Sequence, residues 1–183
     1  MIVVGIPYVE IDSDKRAILN RCVSSLKGQD VVIVVGKQET LAKAQNMLLE
    51  MGFGMGADYV IISNDDVILD IGTLDLLCRP GEIVSPVVHG GIDKLFHAHM
   101  FCIPKTVYEK IGGFDETCPG AYYIDSDMWI RFNEAEIPVV KLESVHINHP
   151  EPGRTLKGMS QSMQDCREWF VTKHGSGATS LVE

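Results

Sequence analysis

The chain has 183 residues, 45% hydrophobic and 22% charged, with a formal net charge of −9. That size and balance suit one globular domain with a real core and exclude a disordered chain. The acid excess argues against general binding to nucleic acid or anionic membrane, because that affinity comes from Lys and Arg neutralising phosphates; an anionic ligand would need positive charge from another source.

The first element is Ile2 to Ile6, an apolar run that predicts a buried strand and stops at Pro7-Tyr8. It lacks the basic flank and length of a signal peptide, and no run approaches the roughly 18 apolar residues of a membrane span. Asp12, Ser13 and Asp14 are candidate N-caps for a helix whose Ile18, Leu19, Cys22, Val23 and Leu26 recur at helical spacing as far as Gly28. Val31 to Val35 predicts a second buried strand, ending at Gly36-Lys37-Gln38. Leu41, Ala44, Leu48 and Met51 make the stripe of a second helix, capped by Thr40 and closed by Gly52. Residues 59 to 63 are β-branched or aromatic apart from one serine, the pattern of a strand buried on both faces of a parallel sheet.

Strands alternating with helices in this way predict a nucleotide-binding type of α/β half with parallel strands and right-handed crossovers. No G-x-G-x-x-G follows the first strand and no G-x-x-x-x-G-K-[ST] occurs, which argues against a dinucleotide enzyme or a P-loop ATPase. The glycines from Gly52 to Gly56 follow a helix and precede a strand, so they predict a helix end and turn.

Beyond Asp66 the alternation is less regular. Asp70 is a candidate cap for a short helix carrying Leu74 and Leu77, and Glu82 to Ser85 and Phe96 to Ile103 are candidate strands. Pro104 opens a helix that runs to Gly112-Gly113. Asp125 caps a helix with Met128, Trp129 and Phe132 facing inward, ended by Pro138. Val139 to Leu142 and Val145 to Asn148 predict two strands of a mixed sheet. A last helix from about residue 160 to 174 carries Met163, Cys166 and Phe170, and residues 175 to 183 are expected to fray. A single domain over 1–183 is the economical division. The five cysteines, Cys22, Cys78, Cys102, Cys118 and Cys166, contain no C-x-x-C pair, so a reduced, cytoplasmic setting is expected.

Two acidic clusters stand out. Asn64-Asp65-Asp66 follows the central strand, so it falls at the carboxyl edge of the sheet, where α/β proteins bind ligands; all three residues also suit a plain turn. Asp125-Ser126-Asp127 opens a predicted helix, where carboxylates two apart do not share a face and where capping and the helix dipole alone explain acids. A functional reading gives the clusters separate tasks, one holding a hard divalent cation and the other taking a proton from an attacking hydroxyl. His146 and His149 close the last strand region; three apart, they point to opposite faces, so only one can serve a site. A histidine joining carboxylates around manganese is reasonable ligand chemistry.

Asn46, Gly52, the run Ala57 to Val67, Ile111-Gly112-Gly113-Phe114-Asp115-Glu116, the run Tyr123 to Arg131 and a closing histidine occur in the order of a known family. In this the chain resembles family 2 glycosyltransferases of the GT-A fold, above all short bacterial and phage members, over roughly residues 1 to 150; Glu168 to Gly175 also resembles their endings. The resemblance implies an α/β fold with a Rossmann-like mixed sheet flanked by helices. It also implies a metal-dependent, inverting transfer of a hexose-type sugar from a UDP-, GDP- or dTDP-sugar to an acceptor hydroxyl, with Mn²⁺ or Mg²⁺ as cofactor.

By the same resemblance Asn64-Asp65-Asp66 is a D-x-D-type motif in which Asp66 is the metal ligand, Asp65 lies nearer the ribose or sugar and Asn64 is a further donor-binding position, and His149, with His146 as rival, is the late metal or phosphate ligand. Pro7 and Tyr8 hold the nucleotide base, Gly36, Lys37 and Asn46 stand at nucleotide-binding positions, and Asp125 is the general base, with Asp127 beside it. Gly112 to Asp115 shapes the donor and acceptor pocket. The chain departs from the family in two places: Gly36-Lys37-Gln38 replaces the usual acid that reads the nucleotide, and Ile124 replaces the glutamate before the catalytic aspartate. A nucleotidyltransferase would carry a Gly- and Arg-rich loop after the first strand, which Gly5 to Glu10 is not; a non-catalytic sugar- or nucleotide-binding module of the same fold is the other alternative.

Overall fold

The structure, a computed structural model, describes residues 1–8, 13–89, 96, 98–150 and 160–181. Seven strands form one sheet: β1 (Ile2–Pro7), β2 (Val32–Gly36), β3 (Tyr59–Ser63), β4 (Ile68–Ile71), β5 (Ile83–Val88), β6 (Met100–Pro104) and β7 (Val139–Asn148). Five α-helices, α1 (Ser13–Ser25), α2 (Leu41–Gly54), α3 (Lys105–Ile111), α4 (Ile124–Glu134) and α5 (Ser160–His174), flank it. The strand order is β2-β1-β3-β6-β5-β7-β4; β1 runs parallel to β2 and β3, β6 runs antiparallel to β3 and β5, β5 runs parallel to β7, and β4 runs antiparallel to β7.

The period of two along each central strand divides the core into two layers. Val3, Val60 and Ile62 face a cluster with Leu48, Leu49, Met128, Phe132 and Cys166, so α2, α4 and α5 cover one side. Val4, Ile6 and Ile61 face a cluster with Cys22, Leu26, Leu74 and Leu77, so α1 and a 3-10 turn (Leu74–Leu77) cover the other. Covered on both faces, β1 and β3 need no polar positions, which is why they read as continuous apolar runs.

Several elements depart from the sequence expectations. β2 is an edge strand that pairs only with β1, so Val32 and Val35 are exposed where a buried strand was expected. Helix α2 is capped by Thr40, whose Oγ1 accepts from Lys43 N at 3.2 Å, but it continues past Gly52 to Gly54. Gly52 serves packing: a Cβ there would lie 2.6 Å from Val60 Cγ2, so its absence lets helix and strand approach. The buried stripe is Ala44, Gln45, Leu48, Leu49, Gly52 and Phe53, and Met51 is exposed. The turn reading of Gly52 to Gly56 holds, with Gly56 at φ 86°.

Asp70 lies in β4 rather than capping a helix, and Thr73 takes the cap position of the 3-10 turn. Of Phe96 to Ile103, only residues from Met100 onward are strand, and His97 lies outside the described residues, as does Asp12. The two strands expected after Pro138 are one, β7, in which the partner register with β5 jumps from Pro86↔Leu142 to Val87↔His146. That bulge supplied the polar break at Glu143-Ser144. Helix α5 buries Cys166 and Phe170 but exposes Met163. Of the tail residues, Ser176–Leu181 form a 3-10 turn with Ala178 and Thr179 buried, and residues 182 and 183 lie outside the described ones. No helix among the described residues is long and apolar enough to cross a membrane. The five cysteines are free thiols, with Cys118 and Cys166 Sγ atoms 3.7 Å apart and those of Cys78 and Cys102 3.9 Å apart.

Candidate active site

Strand direction gathers the site. Because β1, β2, β3, β5 and β7 run one way and β6 the other, Tyr8, Asn64 and His149 leave, and His99 enters, the sheet along one edge. The helices that follow β1 and β2 and the helix that precedes β7 run back across the sheet, so α1, α2 and α4 begin at that same edge. A cavity of about 650 Å³ opens there, and its wall includes Lys15 of α1, Gln45 of α2, Asp125 of α4 and Ser162 of α5, each within the first turns of its helix. Helix N-termini carry partial positive charge, so converging ones supply what the acidic composition withholds from an anion.

Asp65 and Asp66 both line this cavity, but they have different partners. Lys15 Nζ donates to Asp65 Oδ1 at 2.7 Å, with both side chains buried. Burial pushes the Asp65 carboxyl up from its ordinary range, and the Lys15 bond and charge oppose that shift. Beneath them Cys22 Sγ donates weakly to Asn64 O, and burial together with the Asp65 charge pushes that thiol to about 12, so it stays protonated. Asp66 Oδ1 lies 3.0 Å from His149 Nε2, and the His149 ring stacks against His99 at 4.3 Å between centroids.

This difference bears on a metal. Asp65 is already bonded to Lys15, whereas Asp66 and His149 offer a carboxylate oxygen and an imidazole nitrogen held together, hard and borderline donors that suit Mn²⁺. Among the described residues no group of three His, Cys, Asp or Glu side chains forms a metal site. A cation held by this pair would take its remaining ligands from phosphates and water.

Asp125 lines the same cavity from the first turn of α4, so Asp66 and Asp125, 59 positions apart in sequence, share one hollow. Tyr123, at a left-handed φ of 61°, takes the cap position expected for Asp125, which lies inside the helix and accepts from Ser126 N at 2.9 Å through its Oδ1. Pro7 and Tyr8 line the cavity.

Other expected residues are elsewhere. Asp127, placed beside the general base, is buried at the junction with α5: Lys173 Nζ and His174 Nε2 reach its Oδ1 at 2.6 and 2.8 Å, and Arg131 Nη1 its Oδ2 at 3.4 Å. Asn46 does not reach the cavity. Its Nδ2 donates to Phe114 O at 2.9 Å while Phe114 N donates to its Oδ1 at 2.7 Å, a clasp on the Gly112–Asp115 loop. Gly113 is needed there, since a Cβ would meet Asn46 Oδ1 at 2.2 Å. Arg131 donates to Gly113 O and Ile111 O, fixing the loop from the other side. Gly36 and Lys37 lie off the cavity wall; Gly36 O accepts from Tyr8 N at 2.8 Å, and Lys37 is exposed. His146 faces away from His149, with Nε2 2.7 Å from Glu143 O and its ring against His89.

Sequence reading missed Lys15, His99 and Gln45. Lys15 carried a signal, a cation in the first turn of a helix where the dipole disfavours one. Gln45 did too, as the polar member of the buried stripe of α2. His99 had none, because it was read as the interior of a strand.

Lys173 also bonds Asp115 Oδ2 at 2.6 Å, tying α5 to the loop that Asn46 clasps. Burial alone would raise the Asp115 carboxyl, but bonds from Lys173 and Thr117 bring it down to about 2. A carboxyl depressed in the folded state stabilises above its unfolded value of about 3.9, and that contribution is lost as the pH falls through the folded value. The stability difference between wild type and Asp115→Asn is therefore expected to shrink as the pH falls from about 4 to about 2, measured by urea unfolding at each pH.

No protein-family model matches the sequence, and no curated protein matches it. Solved structures are similar in fold. The catalytic domain of Drosophila beta1,4-galactosyltransferase 7, complexed with xylobiose, aligns with a TM-score of 0.61 at 14% identity over 84% of this chain and 72% of that one. The mannosyltransferase PcManGT from Pyrobaculum calidifontis, complexed with GDP-Man and Mn²⁺, gives 0.60 at 12% identity over 99% and 78%. A glycosyltransferase involved in glycosylation of the major capsid of PBCV-1 gives 0.56 at 7% identity over 90% of both chains. The chain has the GT-A fold of nucleotide-diphospho-sugar transferases.

Proposed function

We propose that this chain is a metal-dependent, inverting glycosyltransferase that moves a sugar from a nucleoside-diphosphate donor to an acceptor hydroxyl. The observation that carries the reading is the meeting of the Asp66–His149 pair and Asp125 in one cavity at the carboxyl edge of the sheet. Asp66 and His149 are the residues that would hold Mn²⁺ or Mg²⁺, and the ion when bound supplies positive charge against the leaving diphosphate. Tyr8, at the end of β1, lines the donor side, and the N-termini of α1 and α2 favour the anionic part of the donor. Asp65, neutralised by Lys15, adds little net negative charge there, so the wall can accept a diphosphate despite two adjacent acids.

Asp125 takes the proton of the acceptor hydroxyl as that oxygen attacks the anomeric carbon from the side opposite the departing diphosphate. Such an arrangement inverts the anomeric centre in one displacement. Asp127, held by Lys173 and His174, positions α4 rather than meeting substrate.

Calorimetric titration with UDP and GDP, with and without Mn²⁺, followed by a sugar-transfer assay, tests the reading. Nucleotide binding at least tenfold tighter with Mn²⁺, together with turnover of a nucleotide sugar, is the expected result. Tight binding without any transfer or donor hydrolysis would make the chain a binding module of this fold, and no binding of either nucleotide would remove the donor assignment.

A further inference from the structure

The free thiols make two contacting pairs in this fold. The Sγ atoms of Cys118 and Cys166 lie 3.7 Å apart and those of Cys78 and Cys102 3.9 Å apart. Distance alone favours the first pair. Both of its members are buried, however, and burial pushes the Cys118 thiol up to about 12, so almost no thiolate is present to react. The second pair is asymmetric. Cys102 is fully buried in β6, whereas Cys78 follows the 3-10 turn Leu74–Leu77 and is half-buried, at the start of a connection whose Pro80 and Gly81 are exposed. Cys102 Sγ donates to Cys78 Sγ, a bond that holds the Cys78 thiol below its ordinary value against the effect of burial, while burial pushes the Cys102 thiol well above its own. The reachable sulfur is therefore the one that more readily forms a thiolate, and the enclosed one keeps its proton beside it. That is the division of labour between an attacking and a resolving thiol.

We propose that Cys78 and Cys102 are a reversible oxidation site for hydroperoxides. The Cys78 thiolate attacks the outer oxygen of the peroxide: an S–O bond forms, the O–O bond breaks, and the departing alkoxide or hydroxide takes up the proton that Cys78 gave to solvent. The sulfur loses two electrons, and the peroxide gains them. Cys102 then attacks the Cys78 sulfenic acid; an S–S bond forms, the S–O bond breaks, and hydroxide leaves as water with the Cys102 proton. Two small-molecule thiols return the pair to its reduced state and are themselves joined as a disulfide. Cys78 sits in an irregular connection, so it can close the remaining distance to a bond length of about 2 Å while the sheet holds Cys102 opposite Ile61. Neither cysteine lines the cavity, so the assignment is independent of the transferase reading.

The test is treatment of the full chain with hydrogen peroxide, followed by maleimide alkylation and peptide mass spectrometry. Cys78 is expected to be oxidised at least tenfold faster than Cys22, Cys118 and Cys166. The peptides that hold Cys78 and Cys102 should be joined, with the loss of two hydrogens, until dithiothreitol separates them. Cys102→Ser should stop at a Cys78 sulfenic acid, trapped by dimedone, and Cys78→Ser should leave Cys102 reduced. The wild-type peptide map decides the matter even if a variant fails to fold. An unchanged mass, a Cys118–Cys166 bond formed first, two molecules joined through Cys78, or Cys102 oxidised in Cys78→Ser as fast as in wild type would overturn the assignment.

Discussion

Asp66→Ala is expected to lower the rate of sugar transfer by roughly a thousandfold or more and to remove the effect of Mn²⁺ on nucleotide affinity. Of the two adjacent acids on the cavity wall, Asp65 is bonded to Lys15 and Asp66 to His149, so Asp66 is the one whose carboxylate can share a metal with an imidazole. Its removal leaves His149 with its other neighbour, the His99 ring, so the fold should survive. Asp65→Ala should behave in the opposite way. It removes the carboxylate bonded to the buried Lys15 ammonium and is expected to lower the stability of the protein, visible in urea unfolding. Initial rates with a labelled nucleotide sugar and Mn²⁺ titrations measure the first effect. Full activity in Asp66→Ala would remove the residue from the metal site, and equal loss of stability in both variants would remove the distinction between the two acids.

Asp125→Asn is expected to reduce kcat by roughly a hundredfold to ten-thousandfold while leaving the nucleotide affinity within about twofold of wild type. Asparagine keeps the shape and the oxygen that accepts from Ser126 N, but it cannot take a proton. The split between rate and donor affinity matters, because a mere positioning role would disturb both. Asp127→Asn is the internal comparison: it loosens the Lys173 and His174 bonds to α5 and should lower the melting temperature far more than it lowers kcat. Rates matching wild type in Asp125→Asn would leave proton transfer to some other group in the cavity.

Much of the fold was legible because it is written in short-range periodicity. The apolar runs at Ile2 and Tyr59, the stripe of α2 and the turn at Gly56 needed only neighbours within a few positions, and each appears in the structure close to its expected bounds. Where periodicity was ambiguous the reading failed for identifiable reasons. Val32 to Gly36 has the composition of a buried strand, but position at the end of a strand order is not a local property. Val139 to Asn148 read as two strands because a bulge brings polar residues into the middle of one. The tail after Gly175 has the small polar residues of a frayed end, yet Ala178 finds a place against the protein. The site was partly legible in the same sense. Asp66 and Asp125, which line one cavity, were marked by acids at element boundaries; Asp127 carried a similar mark and bonds α5 instead, and Asn46, expected from the resemblance alone, clasps the Gly112–Asp115 loop.

By itself the sequence determined an α/β sheet with acids at the end of its central strand and at the start of a late helix, because those features follow from local hydrophobic pattern and chain direction. Only tertiary structure decided which acid is neutralised, which histidine serves the cavity and which aspartate is buried in a helix junction. Those outcomes depend on Lys15 meeting Asp65 across 50 positions, His149 meeting Asp66 across 83 and His174 meeting Asp127 across 47. Contacts at such separations arise from how strands order and helices pack, and no pattern confined to neighbouring residues encodes them.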